Sequence, residues 1–326
     1  MSQKTIETDA NPLNVVTAKS PRLQRKSYSY LEASLRRFMG SRLNVASLAL
    51  FVLIAIITAL APLISGTLLN TSPEYFSAAN SIAYAPPGNS ETLRDGSTII
   101  HWLGTDDLGR DTLARLVHAG GASISIGLLV TLIIILIGVP VGLLSGFLGG
   151  WVDDLANAVI QIINNIPSLY LFLVLAGIFR PNLIFLSLIF GLLSWTPTAR
   201  QVRGLTLSLR SRDFTLAAIV MGAGYMRLML VHLLPNIVSI LLVLIGTDIA
   251  GAMLGEAALS YLGFGIRDPD ISWGKMLSSS SQYLTYRGNH NPFLIIGPGV
   301  MIFLTVLSVY LIADGLRDAF DPTLKQ

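Results

Sequence analysis

The carboxylates that could support catalysis cluster in one short stretch, "HWLGTDDLGRD", which contains Asp106, Asp107 and Asp111. Two carboxylates at this spacing could act as the general acid and base of a hydrolase. The competing interpretation is structural: Thr105 or Asp106 caps a short helix whose first turn favours acidic side chains. We expect the structural role, because no nucleophile with an adjacent base accompanies these acids.

Other kinds of chemistry lack their residues in this chain. Cysteine is absent, which excludes disulfides and thiol catalysis, and the four histidines fall in separate segments without metal-ligand spacing. Gly274-Lys275 in "SWGKML" lacks the first glycine and the Ser/Thr of an ATP-binding G-x-x-x-x-G-K-[ST] loop. We therefore expect no catalytic residue, no metal, no cofactor held by this chain and no nucleic-acid partner.

Composition indicates an all-α integral membrane protein. Apolar residues make up 52% of the 326 residues and charged residues 13%, about half the charged share of a soluble domain. A helix needs about 20 apolar residues to cross the hydrocarbon layer, and Pro140 is expected to bend or tilt the second span. We predict six spans: residues 44–64, 121–148, 155–179, 181–199, 234–257 and 293–313.

Polar residues inside these spans are candidates for a translocation path. Asn164, Asn165 and Ser168 lie near the middle of the third span, and Asp248 lies inside the fifth. Ionisable groups in a membrane usually face a cavity or a partner, although hydrogen bonding between packed helices is the alternative. Glu256, at the external end of the fifth span, is a candidate for a gate or for a contact to an external protein.

The distribution of Lys and Arg predicts the orientation. Fifteen of these residues fall in segments predicted to be cytoplasmic and seven in external segments, so both termini are predicted to lie in the cytoplasm. Cleavage of a signal peptide after Ala59-Leu60-Ala61 is the alternative, disfavoured by Pro62 and by the long charged region ahead. The predicted organisation is a tail with an interfacial helix (1–43), a six-span domain (44–316) with external loops 65–120 and 258–292 and a cytoplasmic loop 200–233, and a second tail (317–326).

The cytoplasmic loop contains a short helix with an unusual face. Asp213 or Ser211 is predicted to cap a helix from Phe214 to about Met221. One stripe at helical spacing consists of Phe214, Ala217, Ala218, Met221 and Gly222. Its small residues permit close approach by a partner, while the alternative is a solvated loop. A helix outside the bilayer cannot hide this stripe in lipid, which favours a docking partner.

The same stretch resembles a known signature. "LAAIVMGAGYMRLMLVHLLP" is similar to the E-A-A-x3-G-x9-I-x-L-P pattern of permease subunits in ATP-binding-cassette importers, and departs from it at Leu216 and His232. The matching residues are Ala217, Ala218, Gly222, Leu234 and Pro235. The segments "HWLGTDDLGRDTLARL", "WTPTARQVRG", "EAALSYLGFGIRDPDISWGKML" and "DGLRDAFDPTL" narrow the resemblance to the C-type subunit of the dipeptide, oligopeptide and nickel branch.

This resemblance implies a bacterial or archaeal cytoplasmic-membrane permease of the type I importer kind, embedded in lipid and paired with a second homologous permease. It implies that two cytoplasmic ATPase subunits, which bind ATP and Mg, dock at residues 213–224, and that an external solute-binding protein delivers a di- or oligopeptide. Nickel complexes, glutathione and oligosaccharides are alternative solutes. A secondary transporter and a membrane-embedded enzyme are alternative functions, but no internal repeat or catalytic pairing accompanies them.

Overall fold

The computed structural model of the chain describes residues 30–74, 83–92, 98–179, 182–267, 269–280 and 291–320. The part described is almost entirely helical, apart from one antiparallel hairpin. Most of the predicted N-terminal tail and the last six residues lie outside the described residues.

The described residues begin with helix α1 and the first long apolar helix. Helix α1 (Tyr30–Gly40) and helix α2 (Arg42–Ala59) are separated at Ser41, whose hydroxyl accepts a hydrogen bond from the Asn44 N–H at 3.4 Å. A short helix α3 (Ala61–Leu63) and a π-helical segment (Ile64–Leu68) follow. The described hairpin then pairs strand β1 (Asn89–Thr92) with strand β2 (Thr98–His101).

The remaining helices contain the other apolar segments. They are α4 (Thr112–Leu148), α5 (Gly150–Asn165), α6 (Ser168–Ile178), α7 (Leu183–Ser194), α8 (Thr196–Arg210), α9 (Asp213–Val220), α10 (Tyr225–Arg227), α11 (Leu234–Tyr261), α12 (Trp273–Ser280) and α13 (Phe293–Phe320). A π-helical segment (Leu228–Leu233) joins α10 to α11 without a break. It precedes Pro235, which has no N–H to donate to the preceding turn.

Four helical stretches are individually long and apolar enough to span a membrane: α2, α4, the run Tyr225–Tyr261 and α13. Two further candidates are bent pairs, α5 with α6 at 71° and α7 with α8 at 41°. The described chain therefore has four to six candidate spans. The predicted third span breaks at Ile166-Pro167, where proline cannot continue the backbone hydrogen bonding.

Helix bounds differ from the sequence prediction at several ends. The second span begins earlier, because Asp111 caps α4 by accepting a hydrogen bond from the Ala114 N–H at 2.7 Å. This helix continues through Pro140 as one element of 37 residues. The helical stretches that contain the predicted fifth and sixth spans are longer than predicted. They run over Tyr225–Tyr261 and Phe293–Phe320.

Helix α8 lies unusually close to α4, along a stripe of glycines spaced by four residues. A methyl group placed on Gly138 would lie 3.0 Å from the Trp195 carbonyl oxygen, and one on Gly142 would lie 2.6 Å from that of Ala199. A methyl group on Gly146 would lie 2.8 Å from the Arg203 carbonyl oxygen. Small residues at this spacing let helix backbones approach closely in membranes, where dispersion and polar contacts replace hydrophobic driving force.

We predict that Gly142→Ala lowers the thermal stability of the purified protein, because the added methyl group must displace the α8 backbone. Overpacking of this kind costs about 1–3 kcal/mol, measured as a lower Tm in detergent. Gly204→Ala is the matched control, since Gly204 lies on α8 itself and has open space around its Cβ position. An equal Tm for the two variants would contradict the close-packing argument.

Candidate functional site

Helix α9 follows the end of α8 almost directly. Arg212 occupies the N-cap position and makes no side-chain capping bond. The predicted capping by Asp213 or Ser211 is therefore wrong: Asp213 is the first helical residue, where its carboxylate complements the positive end of the helix dipole. The helix spans Asp213–Val220, within one residue of the predicted Phe214 to Met221.

The back of α9 is fixed to its own chain. The Thr215 hydroxyl is fully buried and donates a hydrogen bond to the Leu209 carbonyl at 2.8 Å. Ala218 is 2% exposed and belongs to a buried apolar cluster with Val202 of α8 and Leu228 beyond α10. These contacts set the rotation of α9 about its axis.

The front of α9, defined here as the face opposite Thr215 and Ala218, is exposed and mostly apolar. Met221 is 79% exposed and Val220 87%. The other front-face residues are Phe214, Leu216, Ala217, Ile219 and Gly222. The structure thus divides the predicted stripe: Phe214, Ala217, Met221 and Gly222 are exposed, whereas Ala218 faces inward because it packs on the helices of its own chain.

Gly222 ends α9 in a left-handed conformation, with φ +83. The Ala223 N–H bonds to the Ala218 carbonyl at 3.0 Å, and the Gly222 N–H bonds to that of Ile219 at 2.9 Å. This pair of bonds is the Schellman arrangement, for which glycine is the favoured residue. The predicted helix stop at Gly222 is confirmed.

Aromatic contacts hold the residues after α9 against the ends of α4 and α8. The Phe147 ring lies edge-on to Tyr225, with 5.9 Å between centroids. The Arg210 guanidinium carbon lies 5.9 Å from the centroid of the same Phe147 ring, within the range of a cation–π interaction. The end of α4, the end of α8 and the start of α10 therefore form one connected unit.

Two of the predicted path residues meet α8 at its first turn. The Thr196 hydroxyl donates to the Asn164 side-chain oxygen at 2.7 Å, and the Thr198 hydroxyl donates to Asp248 Oδ2 at 3.0 Å. Thr196 and Thr198 are two residues apart, about 3 Å along the helix axis. The structure therefore brings Asn164 and Asp248 to a similar level on neighbouring spans.

Asn165 and Ser168 lie on either side of the break at Ile166-Pro167, and both are exposed on the surface of this chain. Asp248 is half-buried. Of the predicted path residues, Asn164, Asn165 and Ser168 thus surround the bend between α5 and α6.

Glu256, predicted as a gate or as a contact to an external protein, is buried within this chain. Its side chain is 1% exposed, and Oε1 accepts hydrogen bonds from the Ser260 hydroxyl at 2.5 Å and the Ser272 hydroxyl at 2.6 Å. Ser272 precedes α12, whose first residue, Trp273, is fully buried and donates its indole N–H to the Leu116 carbonyl at 2.9 Å. Glu256 therefore joins the end of α11 to the segment that anchors α12.

The acidic cluster that precedes and caps α4 makes contacts within the fold. Asp111 caps α4 and lies 2.8 Å from Nδ1 of the buried His101. Asp106 forms ion pairs with Arg110 at 2.7 Å and Arg115 at 3.3 Å. The predicted cap at Thr105 or Asp106 is wrong in its residue, since Asp111 performs it, but the expected structural role of these acids agrees with the geometry.

Asp107 differs from its acidic neighbours in its surroundings. Burial, and after it the negative charge of Asp106, raises the pKa of the Asp107 carboxyl above its ordinary value. Within the described residues, no three His, Asp or Glu side chains come together in a group that could hold a metal ion.

Sequence reasoning missed an ion pair between α8 and the start of α5. Arg203 of α8 donates from Nε to Asp153 Oδ1 at 2.5 Å and from Nη2 to Oδ2 at 2.6 Å, which joins α8 to the first turn of α5. Nothing in the spacing of residues 153 and 203 indicates this contact. The glycine stripe of α4 was also missed, although the repeated four-residue spacing of Gly138, Gly142 and Gly146 was a readable signal.

Residues 138–326 match a family described as binding-protein-dependent transport system inner membrane component. Residues 29–87 match the N-terminal TM domain of oligopeptide transport permease C.

Individual relatives match over nearly the whole chain. The oligopeptide transport system permease protein OppC of Escherichia coli K12 is 35% identical over 303 residues, covering 93% of this chain and 94% of that protein. The proteins of the same name are 36% identical in Salmonella typhimurium, with 93% and 94% covered, and 34% identical in Mycobacterium tuberculosis, with 88% and 92% covered. The resemblance to ATP-binding-cassette importer permeases of the C type is confirmed, and the chain belongs to the family of inner-membrane components of binding-protein-dependent transport systems.

Proposed function

We propose that this chain is a permease subunit of an ATP-driven importer that moves oligopeptides across the cytoplasmic membrane. The observation that carries the proposal is α9, whose back is anchored to α8 and whose front presents exposed apolar residues. Exposed apolar surface outside a bilayer is typical of a protein–protein interface. We assign that interface to an ATPase subunit.

The proposed topology has six spans, counting α5 with α6 and α7 with α8 as one broken span each. The apolar length of these pairs supports it, as does the excess of Lys and Arg in the predicted cytoplasmic segments when the two terminal tails are included. Both termini and α9 then lie in the cytoplasm, and the β1–β2 hairpin lies outside. The six-span domain covers residues 44–316, between tails 1–43 and 317–326.

The proposed complex contains a second homologous permease, two cytoplasmic ATPase subunits and an external solute-binding protein. ATP and Mg are assigned to the ATPase subunits, because this chain has no phosphate-binding loop of its own. The coupling residues are Asp213, Phe214, Ala217, Met221 and Gly222, with Ala218 supporting them from behind. The oligopeptide substrate is supported by the names of the relatives in three organisms.

The orientation can be tested with single cysteines, since the natural chain has none. Trp102→Cys and Met221→Cys place thiols at positions that are 58% and 79% exposed. In spheroplasts that lack the ATPase subunits, which would cover position 221, we expect a membrane-impermeant maleimide to label position 102 while the spheroplasts are intact and position 221 only after lysis. Labelling of position 221 from outside would overturn the topology and the docking assignment with it.

We expect Met221→Glu and Ala217→Arg to weaken ATPase docking while the protein still inserts and folds, because both side chains lie on the exposed front. An unpaired charge buried in an interface costs several kcal/mol, whereas about 1.4 kcal/mol reduces affinity tenfold. The measurement is the amount of ATPase that co-purifies per permease, at equal membrane levels.

Arg37→Glu, at an exposed position on α1, is the control and is expected to leave co-purification unchanged. Ala218→Arg is not a clean probe, because Ala218 is buried within the chain and its enlargement would disturb folding. Wild-type co-purification with Met221→Glu would show that the front of α9 is not the docking surface.

Asp248 is proposed to line the path at the level of Asn164. We expect Asp248→Asn to change the rate of peptide uptake into proteoliposomes while the yield of the assembled complex stays normal. Thr198→Val removes the hydroxyl that bonds to Asp248, and its effect on assembly should be small, since such interhelical bonds contribute about 0.6 kcal/mol. Wild-type uptake by both variants would remove Asp248 from the path.

A further inference from the structure

Helix α5 is weakly held by apolar packing. Of its 16 residues only Ile160 is buried in this chain. It is joined to α4 through Gly149 and Gly150, whose φ angles are +69 and +55, and to α6 through the 71° break at Ile166-Pro167. Neither junction is a continuous helix, so covalent connection alone does not fix the direction of α5.

Polar contacts with α8 fix both ends of α5 instead. At its start, the Arg203 guanidinium binds both Asp153 oxygens at 2.5 and 2.6 Å, and Asn157 donates to the same carboxylate at 2.9 Å. At its end, Asn164 accepts the hydrogen bond from Thr196 at 2.7 Å. Paired Arg–carboxylate bonds define orientation as well as distance, so the Asp153–Arg203 pair sets how α5 lies against α8.

Helix α8 is in turn rigidly connected to the proposed docking surface. It is seated on the glycine stripe of α4, and its last turn receives the Thr215 hydrogen bond that anchors α9. We therefore expect a displacement of α9 to displace α8, together with the helix α5 that is bound to α8.

We propose that the Asp153–Arg203 ion pair is a coupling clasp, which makes α5 move with α8 and α9 as one body and so carries ATPase-driven movement to the bend at Ile166-Pro167. Asp153 and Arg203 are positioning residues, acting through α5 on the polar side chains of Asn165 and Ser168 beside that bend. This inference rests on the proposed function, because it takes α9 as the site where the driving movement enters.

A clasp and a merely stabilising ion pair predict different results. If the pair only stabilises the bundle, its loss lowers complex yield, ATP hydrolysis and transport together. If it is a clasp, the complex assembles and hydrolyses ATP, but α5 no longer follows α8. The pair is partly exposed, with 28% of the Arg203 side chain and 18% of the Asp153 side chain accessible, so its removal leaves no fully buried charge behind.

The test measures the distance between α5 and α8 in the purified full complex, by electron spin resonance on spin labels. Leu155→Cys on α5 and Ser208→Cys on α8 place the labels at exposed positions of a chain with no other cysteine. With the native pair, we expect one narrow distance distribution that is the same without nucleotide and in the ATP–vanadate-trapped state. With Asp153→Asn or Arg203→Gln added, we expect a broadened distribution that changes between the two states.

The second measurement is uptake of radiolabelled trialanine per ATP hydrolysed in proteoliposomes. Asp153→Asn and Arg203→Gln should lower this ratio about fivefold or more, the lower end of typical coupling between sites, at an unchanged complex yield. Arg203→Lys should restore it in part, since ammonium keeps the charge but loses the paired geometry. The double variant Asp153→Arg with Arg203→Asp reverses the two charges. It should take up more trialanine per ATP hydrolysed than either single variant.

Asp154→Asn and Arg200→Gln are the matched controls, being exposed residues of the same type on the same two helices, and should leave both measurements unchanged. A narrow, state-independent distribution in Asp153→Asn would overturn the clasp, as would an equal loss of yield and transport. If the wild-type complex moves no trialanine, the proposed substrate fails while the distance measurement still decides the inference. If no ATPase co-purifies, the proposed function itself fails.

Discussion

The close approach of α8 to α4 is the constraint on which the rest of this structure depends. In a membrane, lipid tails are as apolar as leucine, so helices associate through dispersion contacts and hydrogen bonds rather than through the hydrophobic effect. Gly138, Gly142 and Gly146 remove the side chains that would separate the two backbones. The 15-residue helix α8 is thereby packed closely on α4, and it forms hydrogen bonds with α5, α9 and α11.

The polar residues of α8 form hydrogen bonds with the surrounding helices. Thr196 binds Asn164 of α5, Thr198 binds Asp248 of α11, and Arg203 binds Asp153 at the other end of α5. Each contact reaches a different site on the surrounding helices, and each pairs polar side chains from two different helices. The same side chains that make α8 unusual for a membrane helix therefore fasten the bundle together.

Helix α9 extends this arrangement beyond the end of α8. Its eight residues are too few for independent helical stability, so its shape depends on Thr215, on the burial of Ala218 and on the cap at Gly222. Thr215 and Ala218 lie on one face of the helix, and both are buried against the rest of the chain. The opposite face is left apolar and exposed, and α9 is connected to α8 through the buried contacts of Thr215 and Ala218.

The sequence by itself determined the membrane class, the approximate spans, the helix stop at Gly222 and the family, because hydropathy, cap chemistry and signature spacing are local properties of the chain. It placed Asn164 and Asp248 as related positions, but only the tertiary structure joined them through the first turn of α8. Burial decided which side of α9 is free, since Ala218 and Ala217 have the same chemistry and differ only in what lies behind them. The Asp153–Arg203 pair, the buried state of Glu256 and the bend angles depend on how distant helices meet, and no spacing along the chain records that.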